Sequence, residues 1–331
     1  MKCTNRYLKK RIIGILVSSL FAAVLGGCGS SKYDLPYDVN SAVSGFNVVA
    51  EGKSDVTDAF AVDLCISTED VINAELANIS NVGSAVLFDV NNAEILYSEN
   101  AHVKLSPASL TKVLTALVAL KHGTPDMILH ATDAVNVNES GAQLCGLKAG
   151  DTMTLNQALH IALLQSANDA ALLIAENIGG SVENFVKMMN DEARALGATN
   201  SNFVNPHGLT DAEQYTTAYD LYLIFNEAIK QDKFVEIIQM TSYETTYYDG
   251  AGEAKQLSVR NTNRFVNGDA KVPDNATIIG GKTGTTNAAG HCLMLLSKDT
   301  NGAPYISIIL KASSRDELYA QMTDLLDEIG K

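Results

Sequence analysis

Three short runs carry side chains that could do chemistry together: Ser109-Leu-Thr-Lys112, Ser166-Ala-Asn168 and Lys282-Thr-Gly284. A serine hydroxyl is a weak nucleophile until a base takes its proton. In S-x-x-K the lysine lies three residues on, on the same face of a helix and within reach of the hydroxyl. A lysine acts as a base only when neutral. Burial, a helix N-terminus and a second cation, here Lys282, all push its pKa down. Pro107-Ala108 before Ser109 puts the serine in a first helical turn, where unpaired N–H groups favour an alkoxide or oxyanion. Ser166 offers a hydroxyl for proton relay, and Asn168 an amide that can anchor a lysine or a substrate. Serine–lysine pairs replace the serine–histidine–aspartate triad in several hydrolases. The triad itself has no support, because G-x-S-x-G is absent and the six histidines are scattered.

The stretch "IIGGKTGTT", residues 278–286, also ends like a phosphate-binding loop. That loop needs a glycine five positions before Gly281 and a helix after the lysine. Position 276 is Ala276, and "NAAG" followed by the apolar run "HCLMLLS" reads as a turn and a strand. Lys282 therefore belongs to a β-hairpin, and a nucleotide site is excluded.

The elements that must hold these residues follow from periodicity. "SAVLFDVNNAEILYSEN", 84–100, reads as a hairpin about Asn91-Asn92. "SLTKVLTALVALKHG" has apolar residues at 110, 113, 114, 117 and 120, a helical period ending at Gly123. "TLNQALHIALLQSANDAALLIAENIGG" is helical on both sides of Ser166, and "SVENFVKMMNDEARALG" and "TTAYDLYLIFNEAIK" are two more helices. From about residue 241 the pattern turns to strands, which complete a sheet before the amphipathic "RDELYAQMTDLLDEIG". Strands, a helical block, then strands and a final helix make an α+β or three-layer α/β/α fold. No repeat and no second domain is visible.

The first residues read as a leader. Lys2, Arg6, Lys9, Lys10 and Arg11 precede the apolar run Ile12–Leu25, too short to span a bilayer, which needs about 20 residues. "LGGC", 25–28, resembles a bacterial lipoprotein box, which implies lipidation of Cys28 and export to the outer face of the cytoplasmic membrane. The expected division is a signal peptide at 1–27, a polar tether at 28–55 and a catalytic domain at 56–331, with no C-terminal β-sandwich. The alternative for the leader is an uncut anchor helix. The chain has 24 basic and 38 acidic residues, a net charge of −14, and five of the basic ones lie in the leader. That balance excludes nucleic acid as a partner. Outside the leader and lipobox stand Cys65, Cys145 and Cys292, read as unpaired core thiols because their spacing fits no metal site.

Taken in order, the three motifs resemble those of the penicillin-binding proteins and class A β-lactamases. With "LSPASLTKVLTALVAL", "LLQSANDAALLIAE", "FVNPHGL", "TTAYDL" and "GGKTGTTNAAG", residues 80–329 resemble the D-alanyl-D-alanine carboxypeptidases, serine D,D-peptidases of low molecular mass. The resemblance implies a transpeptidase-like fold, an antiparallel sheet flanked by helices with a mainly helical subdomain. It implies an acyl-enzyme on Ser109, Lys112 as base, Ser166 as proton shuttle, Asn168 holding Lys112 and the substrate amide, and Lys282 as positive field. Thr283, Gly284 and Thr285 would line the receiving strand. The N–H groups of Ser109 and Thr285 would form the oxyanion hole, and Arg315 would meet the terminal carboxylate. The substrate would be the D-Ala-D-Ala end of a peptidoglycan stem peptide, with β-lactams as covalent inhibitors and no metal or cofactor. Two alternatives remain: a class A β-lactamase, though residues 195–210 contain no glutamate to drive deacylation, and a low-turnover wall-binding or penicillin-sensing module. "FVNPHGL", His207 included, is read as structural.

Overall fold

In chain order the elements are β1 (Ser84–Asp89), β2 (Glu94–Glu99), α1 (Thr111–His122), β3 (Ile128–His130), β4 (Thr152–Thr154), α2 (Leu155–His160), α3 (Asn168–Gly179), α4 (Val182–Ala195) and α5 (Ala218–Ala228). They continue with α6 (Asp232–Ile238), β5 (Ser242–Tyr248), β6 (Ala254–Arg260), β7 (Ala276–Thr286), β8 (Gly290–Asp299), β9 (Pro304–Ala312) and α7 (Arg315–Leu326). This computed structural model describes residues 64–72, 79 and 81–331. The leader, Cys28 and the tether lie outside the described residues.

Five strands form one antiparallel sheet in the order β2-β1-β9-β8-β7. Its central strands are apolar at both parities, the mark of a sheet buried on two faces. Val86, Phe88, Met294, Leu296, Ile306 and Ile308 point into a core shared with α1, α3 and α5. Ala85, Leu87, Leu293, Leu295 and Ile309 point the other way, onto Leu318, Met322 and Leu325 of α7. Each fully buried side chain of this kind contributes about 1.5–3 kcal/mol. The result is the expected three layers, and α7 is the outer one.

The strands after residue 241 do not all complete that sheet. β5 and β6 pair instead with β3 and β4 in a separate four-stranded antiparallel sheet. Their exposed and part-buried positions alternate, as in a sheet with one solvated face. β3 and β4, three residues each, are too short to leave a period in the sequence, and the one-sided hairpin had no visible partner. α6 was likewise not foreseen, being only seven residues long. The helical stretch around Ser166 breaks more sharply than periodicity suggested. α2 ends in a π-helical turn, Ile161–Gln165, and Ser166 is left-handed at φ 67°, ψ 27° before α3 starts. The three thiols of the described region are unpaired, with Cys65 and Cys292 buried and Cys145 half-buried.

Candidate active site

Ser109 sits in a 3-10 turn, Ala108–Leu110, that leads into α1. Ala108 is held at φ 45°, a left-handed value that a β-carbon makes costly. Something must hold that turn in place, and the loop "NPHGL" does so. Gly208, at φ +89°, presses its backbone on the turn so closely that a β-carbon there would stand 1.9 Å from the Ala108 carbonyl oxygen. On the next turn of α1, the Thr115 hydroxyl donates to the Pro206 carbonyl at 2.6 Å.

Lys112, one turn after Ser109, is 1% exposed. Its Nζ has three partners: Ser109 Oγ at 3.1 Å, Asn168 Oδ1 at 2.7 Å and the His207 carbonyl at 2.6 Å. Burial pushes its pKa well below the ordinary lysine value, and the nearby charge of Lys282 pushes it further. The partner set suits a base. Asn168 Oδ1 and the His207 carbonyl can only accept, so they take the two N–H bonds of a neutral amine. The lone pair is then left for Ser109, the one partner whose hydroxyl can donate.

Lys282 enters from β7, directly opposite Met294 in the hairpin register, and is also 1% exposed. Its ammonium donates to Ser166 Oγ at 2.9 Å and to the Thr283 carbonyl at 2.9 Å. Burial lowers its pKa to about 7. The left-handed residue after the π-helical turn brings the Ser166 hydroxyl to that ammonium. Asn168 follows at the start of α3, its side chain 2% exposed and committed to Lys112.

These groups open on a cleft of about 510 Å³. Ser109, Ser166 and Asn168 line it from the helices, and Thr283, Gly284 and Thr285 from β7. Arg315, at the start of α7, lines it near His291, whose pKa burial and the Arg315 charge both lower. The structure thus gathers Ser109, Lys112, Ser166, Asn168, Lys282, Thr283, Gly284, Thr285 and Arg315 around one cleft or its floor.

Two contributors escaped sequence reasoning. The first is "NPHGL", whose His207 carbonyl is a ligand of Lys112 rather than remote scaffolding. The His207 ring is held neutral, burial and the Lys112 charge lowering its pKa to about 3. The second is Thr262, in the loop after β6. Its hydroxyl shares a 2.6 Å hydrogen bond with Thr283 Oγ1, and its N–H donates to the Leu164 carbonyl in the π-helical turn. A backbone carbonyl and a lone threonine leave no motif to find.

A model of the D-alanyl-D-alanine carboxypeptidase family, peptidase family S11, matches residues 72–314. The D-alanyl-D-alanine carboxypeptidase DacF of Bacillus subtilis is 36% identical over 253 residues, covering 74% of this chain and 61% of that protein. A D-alanyl-D-alanine endopeptidase of Pseudomonas aeruginosa is 32% identical over 244 residues, 73% of this chain and 75% of that one. Among solved structures, the Streptomyces K15 DD-transpeptidase aligns with a TM-score of 0.69 at 25% identity, over 75% of this chain and 96% of that one. The chain therefore spans about three fifths of the length of the Bacillus relative, and nearly all of the transpeptidase domain. Motifs, fold and match agree: the chain belongs to the D-alanyl-D-alanine carboxypeptidase family.

Proposed function

We propose that the protein is a serine D-Ala-D-Ala carboxypeptidase that removes the terminal D-alanine from peptidoglycan stem peptides through an acyl-enzyme on Ser109. The observation that carries this reading is the partner set of Lys112, which leaves the amine's lone pair for the Ser109 hydroxyl. Neutral Lys112 takes that proton as Ser109 Oγ attacks the penultimate D-alanine carbonyl. The backbone N–H groups of Ser109 and Thr285 stabilise the resulting oxyanion, the kind of donor worth about 10²–10³ in rate. Lys282 donates to Ser166 Oγ, so Ser166 can pass its own proton to the departing nitrogen and take up the Lys112 proton in exchange, which returns Lys112 to its neutral form. Once D-alanine has left, a water occupies its place. Lys112 takes the water's proton as the oxygen attacks the acyl carbonyl and returns it to Ser109 Oγ as the shortened peptide leaves. Thr283, Thr285 and Arg315 receive the terminal carboxylate.

Penicillins acylate Ser109 in this scheme, and the adduct persists, because the opened ring keeps its leaving group tethered where water must enter. In a class A β-lactamase a glutamate activates water on the other face. Here the corresponding segment brings the His207 carbonyl, Leu209 and Thr210 to the site, and no carboxylate. The test is a diacetyl-Lys-D-Ala-D-Ala peptide with assay of free D-alanine, beside intact mass after a penicillin pulse. Release of D-alanine with a lasting adduct on the Ser109 peptide supports the proposal. Rapid loss of the adduct with steady penicillin hydrolysis supports the β-lactamase instead. Adduct without any peptide turnover supports the sensing module.

The leader supports a place for this chemistry outside the cytoplasmic membrane. In this reading, residues 1–27 direct export, Cys28 becomes the lipidated N-terminus, residues 28–55 form the tether and the catalytic domain follows. Cys28→Ser abolishes incorporation of a fatty-acid analogue if so; equal incorporation in the variant favours an uncut anchor.

A further inference from the structure

Asp169 follows Asn168 at the start of α3 and is 2% exposed, yet nothing in the mechanism above uses it. Its carboxylate is fully engaged. Oδ2 accepts from the N–H groups of Cys145, Gly146 and Leu147 at 3.1, 2.8 and 3.1 Å. Oδ1 accepts from the N–H groups of Cys145 at 3.1 Å and Ala170 at 3.0 Å, and from the Cys145 thiol at 3.4 Å. Three successive N–H groups converge on one carboxylate because Gly146 takes φ +92°, which folds the backbone into an anion-holding concavity.

The segment so held is the wall of the cleft. Glu139, Ser140, Gly141, Ala142 and Gln143 line it, and Leu144 to Leu147 continue from them. Two more bonds tie the same segment to the other chemical motif. The Asn168 N–H donates to the Gln143 carbonyl at 2.8 Å, and Gln165 Nε2 donates to the Leu144 carbonyl at 3.1 Å. So the wall, the π-helical turn before Ser166 and the first turn of α3 are one hydrogen-bonded unit, with Asp169 at its centre. The unit also carries charge. Asp169 adjoins Asn168, whose Oδ1 meets Lys112 Nζ at 2.7 Å, so the charges of Asp169 and Lys282 both act on Lys112, and the His207 ring of the "NPHGL" loop is neutral. Lys282 opposes a proton on Lys112, and Asp169 favours one.

We propose that Asp169 is a positioning residue, whose carboxylate clamps the 139–147 wall onto the Ser166–Asn168 turn. The clamp stands on the geometry alone; its consequence for catalysis rests on the carboxypeptidase reading. Beside the clamp, the Asp169 charge favours a proton on Lys112, against burial and Lys282. Without it Lys112 sees only Lys282 and loses its proton at lower pH. The clamp sets how well the wall holds the acyl side of a substrate.

Three variants separate these effects: Asp169→Asn removes the charge and turns an amide towards three N–H groups, Asp169→Glu keeps the charge at the wrong length, and Gly146→Ala strains the concavity but keeps Asp169. Hydrogen exchange followed by mass spectrometry reads the clamp whether or not the protein turns over peptide. In Asp169→Asn and Gly146→Ala, exchange across 143–147 speeds at least about tenfold while α1 and the five-stranded sheet keep their protection. Unchanged exchange at 143–147 overturns the clamp. Uniformly faster exchange overturns it too, since the residue would then support the whole fold. The pH profile of penicillin acylation reads the charge. The acid limb moves to lower pH in Asp169→Asn and stays in place in Gly146→Ala and Asp169→Glu, and KM for the D-Ala peptide rises in all three. An acid limb that stays in place in Asp169→Asn overturns the charge role. If the wild-type protein is neither acylated nor active, the carboxypeptidase reading fails, and the exchange result still decides the clamp.

Discussion

The two sides of the cleft each deliver one buried lysine, by opposite means. β7 delivers Lys282 on a regular strand, fixed by its ladder with β8. The helical side delivers Lys112 in the first turn of α1 but sets Ser109 and Ser166 on irregular backbone: a left-handed Ala108, a π-helical turn and a left-handed Ser166. In the proposed mechanism the sheet side supplies a charge and the helical side the reacting atoms. A charge acts through space and tolerates small errors, whereas proton transfer needs heavy atoms within about 2.6–3.2 Å. Strained backbone stands where that tolerance is smallest.

The largest expected effects fall on the helical side. Ser109→Ala abolishes covalent labelling by a fluorescent penicillin while the thermal unfolding midpoint stays close to wild type. Lys112→Met, which removes the base, lowers the acylation rate by about 10²–10⁴. If Lys112→Met acylates within tenfold of wild type, the helical side has another base and the comparison collapses.

On the sheet side, Lys282→Gln lowers acylation by about 10²–10³, the range for a lost electrostatic partner, and Lys282→Arg is milder. The pH profile sharpens the point. The mechanism needs Lys112 neutral and Lys282 charged, so acylation falls at low pH as Lys112 gains a proton. It falls again as pH rises through about 7, where Lys282 loses its own. Arginine stays charged, so Lys282→Arg moves the alkaline limb upward and leaves the acid limb alone. An alkaline limb unmoved in Lys282→Arg assigns it to another group.

Stability carries the same signature with a definite sign. Above about pH 7 the native state leaves Lys282 neutral, while the unfolded chain keeps it protonated up to 10.5. The unfolded state then binds more protons, so Lys282 makes the unfolding free energy rise with pH by at most about 1.4 kcal/mol per pH unit, beside a rise of the same sign from Lys112. The buried thiols, with ordinary values of 9.0, oppose the trend at higher pH. Denaturant titrations between pH 7 and about 8.5 should show the rise in wild type and a flatter line in Lys282→Met. Equal slopes would mean that burial does not neutralise Lys282.

Smaller effects test the irregular backbone itself. Gly208→Ala sets a β-carbon against the Ala108 carbonyl and destabilises by about 2–4 kcal/mol, with loss of penicillin labelling. Ser166→Gly keeps the left-handed turn and loses the hydroxyl. It should be about 1–2 kcal/mol more stable than Ser166→Ala, yet equally poor at acylation. Smallest, Thr262→Val removes one hydrogen bond to Thr283 and slows acylation about three- to tenfold, the worth of about 0.5–1.5 kcal/mol. No change in rate would make Thr262 a bystander.

Why some of this was legible follows from where each signal resides. The β1–β2 hairpin, the long helices and the β7–β8 hairpin announce themselves by period, because their burial is regular. Ser109, Lys112, Ser166, Asn168 and Lys282 announce themselves by residue type and short spacing, because each motif rides on one short piece of backbone: a helical turn, a break between helices and a strand. The second sheet did not, since β3 and β4 contribute three residues each and pair far along the chain. Neither did the His207 carbonyl, since every residue has one and only the fold selects which is used. Asp169 lay in plain view in "SAND", but its role needs the loop at 145–147, some twenty residues earlier, to be seen around it.

The strand order has a bearing on the life history of the molecule. β1 is paired with β9, so the first strand of the sheet waits for the last before it has its inner neighbour. Lys112 likewise waits for a carbonyl 95 residues downstream, and Ser166 for an ammonium 116 residues downstream. A chain made from its N-terminus carries its serine as an ordinary alcohol at least until β7 has been made. Contacts this distant form late in folding. Reactivity is thereby postponed until β7 has closed on the helical side, and penicillin labelling becomes a stopwatch for that closure.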